Sequence, residues 1–302
     1  MFEYQIYKLN FRGGVHFGKG FLHSSGMECC ADTFFSALFL EAMKKGEEDI
    51  LLKAAREDHF RISDCFPFFK ETYFLPKPML HVTGENSGNS IEKKFYKNLQ
   101  YIPFGSMKEY LAGTMEQVDY AKDLAHISSR TSAAVRGNVE TLPYQISVCN
   151  FKKDAGLYVI VGTDEKRFGY LVDELLISLS VSGLGGKRTE GLGRFEITYG
   201  DPDETFLNGL NRHEGTKMLL STALPREEEL EAALEGACYK LIQRSGYVLS
   251  ETYAPEQRRK KTIYMMEAGS CFKNGFSGDV YDVSRGGTHP VYRYGKPLFF
   301  AL

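Results

Sequence analysis

The stretch SGLGGKRTEGLGRFEI, residues 182–197, sets five glycines around a Lys-Arg pair. Glycines lack a Cβ, so a backbone rich in them comes close to a ligand and can turn successive N–H groups toward an anion. Lys187, Arg188 and Arg194 add cations, with Glu190 the acid inside the loop. Such a set can bind phosphate, the ammonium acting as a point charge and the guanidinium as a fork. A purely structural alternative is a glycine C-cap followed by a bulged strand entry. It accounts for two glycines more readily than for five beside consecutive cations.

Spacing and direction decide which phosphate. A Walker loop needs G-x-x-x-x-G-K-[ST]; counting back from Gly186-Lys187 places Val181 at the first glycine, and Arg188 replaces the magnesium-binding hydroxyl. A dinucleotide fingerprint fails because Arg188 stands where its third glycine belongs. Both nucleotide loops also run from strand to helix and aim a helix N-terminus at the anion. Here the loop leaves the C-terminus of a helix, whose dipole repels anions. A nucleotide cofactor is therefore not expected, and a polynucleotide backbone is.

Charge is segregated in a way that fits. Residues 126–153 carry Arg130, Arg136, Lys152 and Lys153 against Glu140, and the tail from 256 holds the run Arg258-Arg259-Lys260-Lys261. Acid gathers on 226–235, five glutamates to one arginine. Tyr144, Phe195 and Tyr199 are candidate stacking faces, each equally suited to a core. The formal net charge of -2 excludes a bulk basic binder and permits a narrow basic track. Six cysteines form no C-x-x-C pair, which points to reduced, structural thiols. No metal site or cofactor is expected.

The elements that must position these residues follow from periodicity. In 302 residues, 43% hydrophobic, two domains are expected. Tyr7, Leu9 and Phe11 alternate with polar residues in a first strand, and GGVHFGKGFLHSSG reads as a loop. ADTFFSALFLEAMKK, 31–45, opens a helix with Asp32 as its N-cap. Phe68 to Leu75 reads as a strand, and 84–125 as an irregular insertion. TLPYQISVCNF and GLYVIVG read as a hairpin turning at KKDAG. Phe168, Leu171, Val172, Leu175, Leu176 and Leu179 form a helical apolar stripe, followed by the glycine loop and the strand RFEITYG. The order β-α-β-β-α-β is the ferredoxin-like, RRM-like arrangement. The predicted class is α+β with two ferredoxin-like domains: 1–205, carrying the G-rich loop after its second helix and an insertion or thumb hairpin at about 80–140, and a smaller 206–302. No apolar run approaches 18 residues and no signal architecture opens the chain, so a cytoplasmic protein without membrane contact is expected.

These residues resemble the RAMP superfamily of CRISPR systems, and more narrowly the Csm subunit four family of type III-A effector complexes. The matching blocks are YKLNFRGGVHFGKG (7–20), ADTFFSALFLEAMK (31–44), PFFKETYFLPKPM (67–79), SGLGGKRTEGLGRFE (182–196), TALP (222–225) and HPVYRYGKPLFFAL (289–302). The resemblance implies a non-enzymatic subunit in antiviral defence that holds the 5′ handle of the crRNA. It further implies docking beside the large polymerase-like subunit and the first backbone RAMP subunit, and a thumb hairpin at the guide–target RNA duplex. Carried over by position, Gly183, Gly185, Gly186, Lys187, Arg188, Gly191 and Gly193 would hold handle phosphates. The stretch AHISSRTSAAVRGNVETLPY would supply the thumb, with Arg130, Arg136 and Tyr144 as contacts, and His16 and Lys19 would add to them from the first loop.

The rival of another class is a RAMP endoribonuclease that processes pre-crRNA through a His general base, for which His16 and His126 are the candidates. No H-D pair or carboxylate cluster marks a nuclease centre, and the Asp with which backbone subunits cut target RNA has no match; Asp32 sits at a helix start, where capping suffices. A solitary RNA-binding module fits poorly with near-neutral charge, because it depends on counterion release over a broad basic face.

Overall fold

A computed structural model of the chain describes residues 2–82, 90–116, 118, 120–134, 142–212, 214–250 and 252–302. In chain order these form β1 (Glu3–Phe11), β2 (Phe17–Gly18), β3 (Ser25–Gly26), α1 (Ala31–Lys45), α2 (Glu48–Arg56), β4 (Phe60–Ile62), β5 (Phe66–Phe69) and β6 (Thr72–Pro76). Next come α3 (Ser90–Asn98), β7 (Tyr101–Pro103), α4 (Met107–Ala112), α5 (Ala121–Leu124), β8 (Ala125–Ala134), β9 (Leu142–Phe151), β10 (Ala155–Thr163), α6 (Lys166–Ser182) and β11 (Phe195–Gly200). The last third holds α7 (Glu204–Asn211), β12 (Lys217–Leu219), α8 (Leu230–Leu234), β13 (Leu241–Arg244), β14 (Ile263–Met266), β15 (Cys271–Phe272), β16 (Val280–Asp282), β17 (Tyr292–Tyr294) and β18 (Phe299–Ala301). The class is mixed α+β with antiparallel sheets.

The main sheet runs β11-β1-β10-β5-β6-β7, with β4 also paired to β10. Every residue of β10 is buried, as a central strand covered on both faces must be. Leu157, Val159 and Val161 join Phe34, Leu38, Val172, Leu175 and Leu179 of α1 and α6 in one core. Tyr158 and Ile160 face the other way, into a core shared with Phe206, Met218, Leu220 and Phe300 of the C-terminal third. That third adds the sheet β15-β12-β18 and the hairpins β13-β14 and β16-β17.

Four expectations change. The stretch 84–125 is not an irregular insertion: it contributes α3, α4 and β7, which pairs with β6 at the edge of the main sheet. β9 does not hairpin with β10: it pairs with β8 in a register running from Ala125↔Phe151 to Ala134↔Leu142, while β10 lies between β1 and β5. The segment read as one strand over 68–75 is the β5–β6 hairpin, turning at Lys70, whose φ is +54°. Asp32 is not the N-cap of α1. Cys30 occupies that position without a side-chain cap bond, and Asp32 lies inside the first turn, buried between two arginines.

Candidate nucleic-acid interface

The G-rich loop leaves α6 and enters β11, as its sequence direction requires. Gly183, Gly185, Gly191 and Gly193 have φ of +86°, +93°, +87° and +81°, the left-handed region in which other residues are strained. The loop is closed by Leu184 N–H donating to the Gly193 carbonyl at 2.9 Å. Gly186 meets a different demand. A Cβ there would stand 2.9 Å from His16 Cδ2, because the imidazole fills the space beside it.

The first loop runs between the G-rich loop and the β8–β9 hairpin and is bonded to both. Gly186 N–H donates to the His16 carbonyl at 2.9 Å, and Gly193 N–H to the Gly14 carbonyl at 3.0 Å. On the other side Val15 and Cys149 exchange two bonds of 2.8 Å. His16 is buried, its Nδ1 2.7 Å from the Ser147 carbonyl. A carbonyl only accepts, so Nδ1 carries the hydrogen. This role is positional: the ring spaces Gly186 from β9. His126, the other histidine weighed as a base, is exposed on β8 opposite Asn150.

Lys187 sits at φ +59° and turns toward the hairpin. Its Nζ donates to the Tyr144 hydroxyl at 3.0 Å, ion-pairs with Glu190 at 2.8 Å and lies 4.9 Å from the Tyr144 ring centre. The Glu190 carboxylate foremost, and the Tyr144 hydroxyl after it, push the ammonium above its ordinary pKa. Ile146 and Val148 pack with Leu192 beneath the same junction. Tyr144 and Lys187 thus pin the start of β9 to the G-rich loop.

Arg188, next along, is half-buried, and among the described residues its guanidinium has no hydrogen-bond or ion-pair partner. Arg130 is exposed on β8, opposite Ile146, likewise unpaired among the described residues. Lys19 is ion-paired with Glu28 at 2.9 Å. Arg136 lies outside the described residues.

A cavity of about 520 Å³ opens where these segments meet, lined by His16, Gly18, Gly185, Lys187 and Arg188, by Ser36 and Leu40 of α1, and by Arg244. Arg244 comes from β13 and escaped the sequence reading. It is held at 2.7 and 3.0 Å by the two Asp32 oxygens, one of which, Oδ2, Arg293 also grips. Burial works against the Asp32 charge, yet Arg244 and then Arg293 hold its carboxyl below the usual carboxylate range. No local signal could have found a residue 212 positions from its partner. The site therefore brings together tightly turned glycine backbone, an unpaired guanidinium and a wall contributed by the C-terminal third.

Residues 212–302 match the family described as the CRISPR Csm4 C-terminal domain. Over 292 residues the chain is 38% identical to a Mycobacterium tuberculosis protein named CRISPR system Cms protein Csm4, covering 95% of this chain and 94% of that protein. A Streptococcus thermophilus protein of the same name is 35% identical over 309 residues, 99% of each chain. Among solved structures, a chain of the Csm3–Csm4 subcomplex of the type III-A CRISPR-Cas interference complex matches with a TM-score of 0.68 at 20% identity, over 99% of both chains. A chain of the Csm1–Csm4 cassette in complex with cA4 matches at 0.63 and 17%, over 99% of this chain and 98% of that one. At these identities the structural likeness is one of fold.

Proposed function

The chain belongs to the Csm4 family, and from that premise we propose that it is a non-catalytic subunit of a type III-A CRISPR ribonucleoprotein that holds the 5′ handle of the crRNA. One observation carries the reading. The first loop and the G-rich loop line one cavity with Arg188 in its wall, and Lys187 ties that loop to Tyr144 of the β8–β9 hairpin, on which Arg130 stands exposed, neither guanidinium having an acidic partner among the described residues. A half-buried, unpaired guanidinium beside bare backbone suits a bidentate phosphate contact.

The finer assignments rest on the same footing. The order β11-β1-β10-β5, with α1 and α6 on one face, is read as the ferredoxin-like unit of the N-terminal domain. Because α7 spans Glu204–Asn211 as one helix, the domain boundary proposed at 205/206 is better placed just before it. The C-terminal domain is the smaller α+β unit. The β8–β9 hairpin is the thumb offered to the guide–target duplex. Partner subunits named with Csm4 relatives, Csm3 and Csm1, are the backbone and large subunits this chain would anchor. Such an assembly acts in antiviral defence in the cytoplasm.

The test is native purification of the assembled complex with Arg188→Ala and Arg130→Ala, followed by sequencing of the bound RNA. The reading expects a shared 5′ handle in the wild type and a several-fold loss of RNA per complex in Arg188→Ala. Bound RNA without a common 5′ end, or unchanged occupancy and handle protection in both variants, contradicts it.

A further inference from the structure

The first loop carries a feature that phosphate binding does not use. Between β2 and β3 the chain turns over 19–24, and its tip presents Phe21 67% exposed. The ring is stacked on His23, with 5.3 Å between centroids and 18° between planes. A single exposed apolar side chain is ordinary, but this one stands on a fixed base. Lys19 N–H donates to the Ser24 carbonyl at 3.1 Å, Ser24 N–H to the Phe21 carbonyl at 3.2 Å, and Ser147 N–H to the Leu22 carbonyl at 2.8 Å. Ser147 also holds His16 through its own carbonyl. One residue of β9 therefore fixes both the ring that lines the cavity and the tip that carries Phe21.

We propose that Phe21, backed by His23, is a stacking platform for an unpaired nucleobase of the RNA whose backbone the adjoining cavity holds; this rests on the RNA-binding reading above. Gly18 lines the cavity and stands three residues before Phe21, at most about 10 Å of extended chain. A single strand crosses that distance within a few nucleotides. Stacking needs a flat ring whose position is set in advance, and it tolerates any base. A protein hot spot needs a contiguous apolar centre. The tip offers Phe21 and Leu22 alone, rimmed by Lys19, His23, Ser24 and Ser25, which is the composition of a nucleotide contact.

The full-length chain is titrated with two probes: a short fluorescent single-stranded RNA of mixed sequence, and an abasic ribose-phosphate chain of equal length. Phe21→Ala should weaken RNA binding by about 10-fold, Phe21→Trp should restore it, and neither should alter binding of the abasic probe. A 4-thiouridine RNA should cross-link within 19–24 of the wild type. The inference is overturned if Phe21→Ala binds RNA as the wild type does, or loses the abasic probe equally. It is also overturned if Phe21→Ala loses a co-purifying subunit with RNA affinity intact, which would make the tip a protein contact. Failure of the two readings is separable. Arg188→Ala weakening both probes while Phe21→Ala is silent removes the platform alone. A wild-type chain that binds neither probe, together with an assembled complex that carries no RNA, removes the RNA reading and the platform with it. Phe21→Ala weakening RNA binding while Arg188→Ala is silent upholds the platform and moves the phosphate contact elsewhere.

Discussion

Lys187 Nζ lies 3.0 Å from the Tyr144 hydroxyl and above its ring, so the central cation of the G-rich loop is committed to the hairpin. Lys187→Ala removes that bond, the ring contact and the Glu190 pair, all partly exposed, and should cost about 1 kcal/mol of stability. Any loss of RNA from this variant then follows from a loosened hairpin. Arg188→Ala should lose RNA with an unchanged melting temperature. Thermal melts run beside quantification of bound RNA separate the two. A Lys187→Ala protein that melts like the wild type yet releases RNA would make Lys187 a direct phosphate ligand.

Asp32 ties α1 to β13 and β17 by gripping Arg244 and Arg293 in the interior. Removing the acid leaves two guanidiniums buried and uncompensated, so Asp32→Ala should cost about 3–5 kcal/mol in urea denaturation. The pH dependence has a definite sign. A carboxyl held below its unfolded value contributes stability that is complete above that value and is lost as the pH falls from there through the lower folded value. Wild-type melts should therefore drop steeply below about pH 4, the ordinary aspartate value. The same series on Asp32→Asn should be flatter, and parallel curves would remove Asp32 as the cause.

The parts legible in the sequence are those where one face decides. The α6 stripe, the apolar run of β10 and the helix-to-strand direction of the G-rich loop are local patterns, and each appears in the fold. β8 was invisible because AHISSRTSAA is exposed along almost its whole length and has no apolar period. Without β8 in view, the pattern pairs β9 with β10, whereas its partner is β8. Asp32 looked like a cap because its position suits one; its real partners, Arg244 and Arg293, are contributed by distant strands. Phe21 and His23 belong to a loop whose order comes from Ser147, and nothing within the loop's own residues announces that bond.

Asp64 is the second buried acid between the two thirds of the chain, and its pH effect is opposite. Its oxygens accept from Ala31 N–H at 2.7 Å, Thr222 N–H at 2.6 Å and the Thr222 hydroxyl at 2.9 Å. Burial outweighs these bonds and pushes the carboxyl up from 3.8 to about 6. The folded state then binds the proton more tightly than the unfolded one. Stability from this group falls as the pH rises from about 4 to about 6 and is level above. Asp64→Asn should remove that slope. It should also cost about 1–3 kcal/mol at pH 7, since an amide nitrogen turned toward a donor leaves a buried bond unmade. Melts of both proteins across that range give the answer, and an unchanged slope in the variant would exclude Asp64.

Gly191 and Gly193 separate backbone strain from close approach within one loop. Both have positive φ, +87° and +81°, but a Cβ on Gly191 meets nothing within 4 Å, whereas on Gly193 it would stand 2.0 Å from the Leu184 carbonyl oxygen. Gly191→Ala should cost about 1–2 kcal/mol, the left-handed penalty alone, and keep its RNA. Gly193→Ala adds a clash that the backbone must relieve by parting Leu184 from residue 193. That movement also breaks the bond from Gly193 N–H to the Gly14 carbonyl, which joins the loop to the first loop. The cavity wall then opens, so the larger stability loss should come with loss of RNA. Equal melting temperatures and equal RNA occupancy in the two variants would show that the loop adapts around its ligand and is not a preformed cradle.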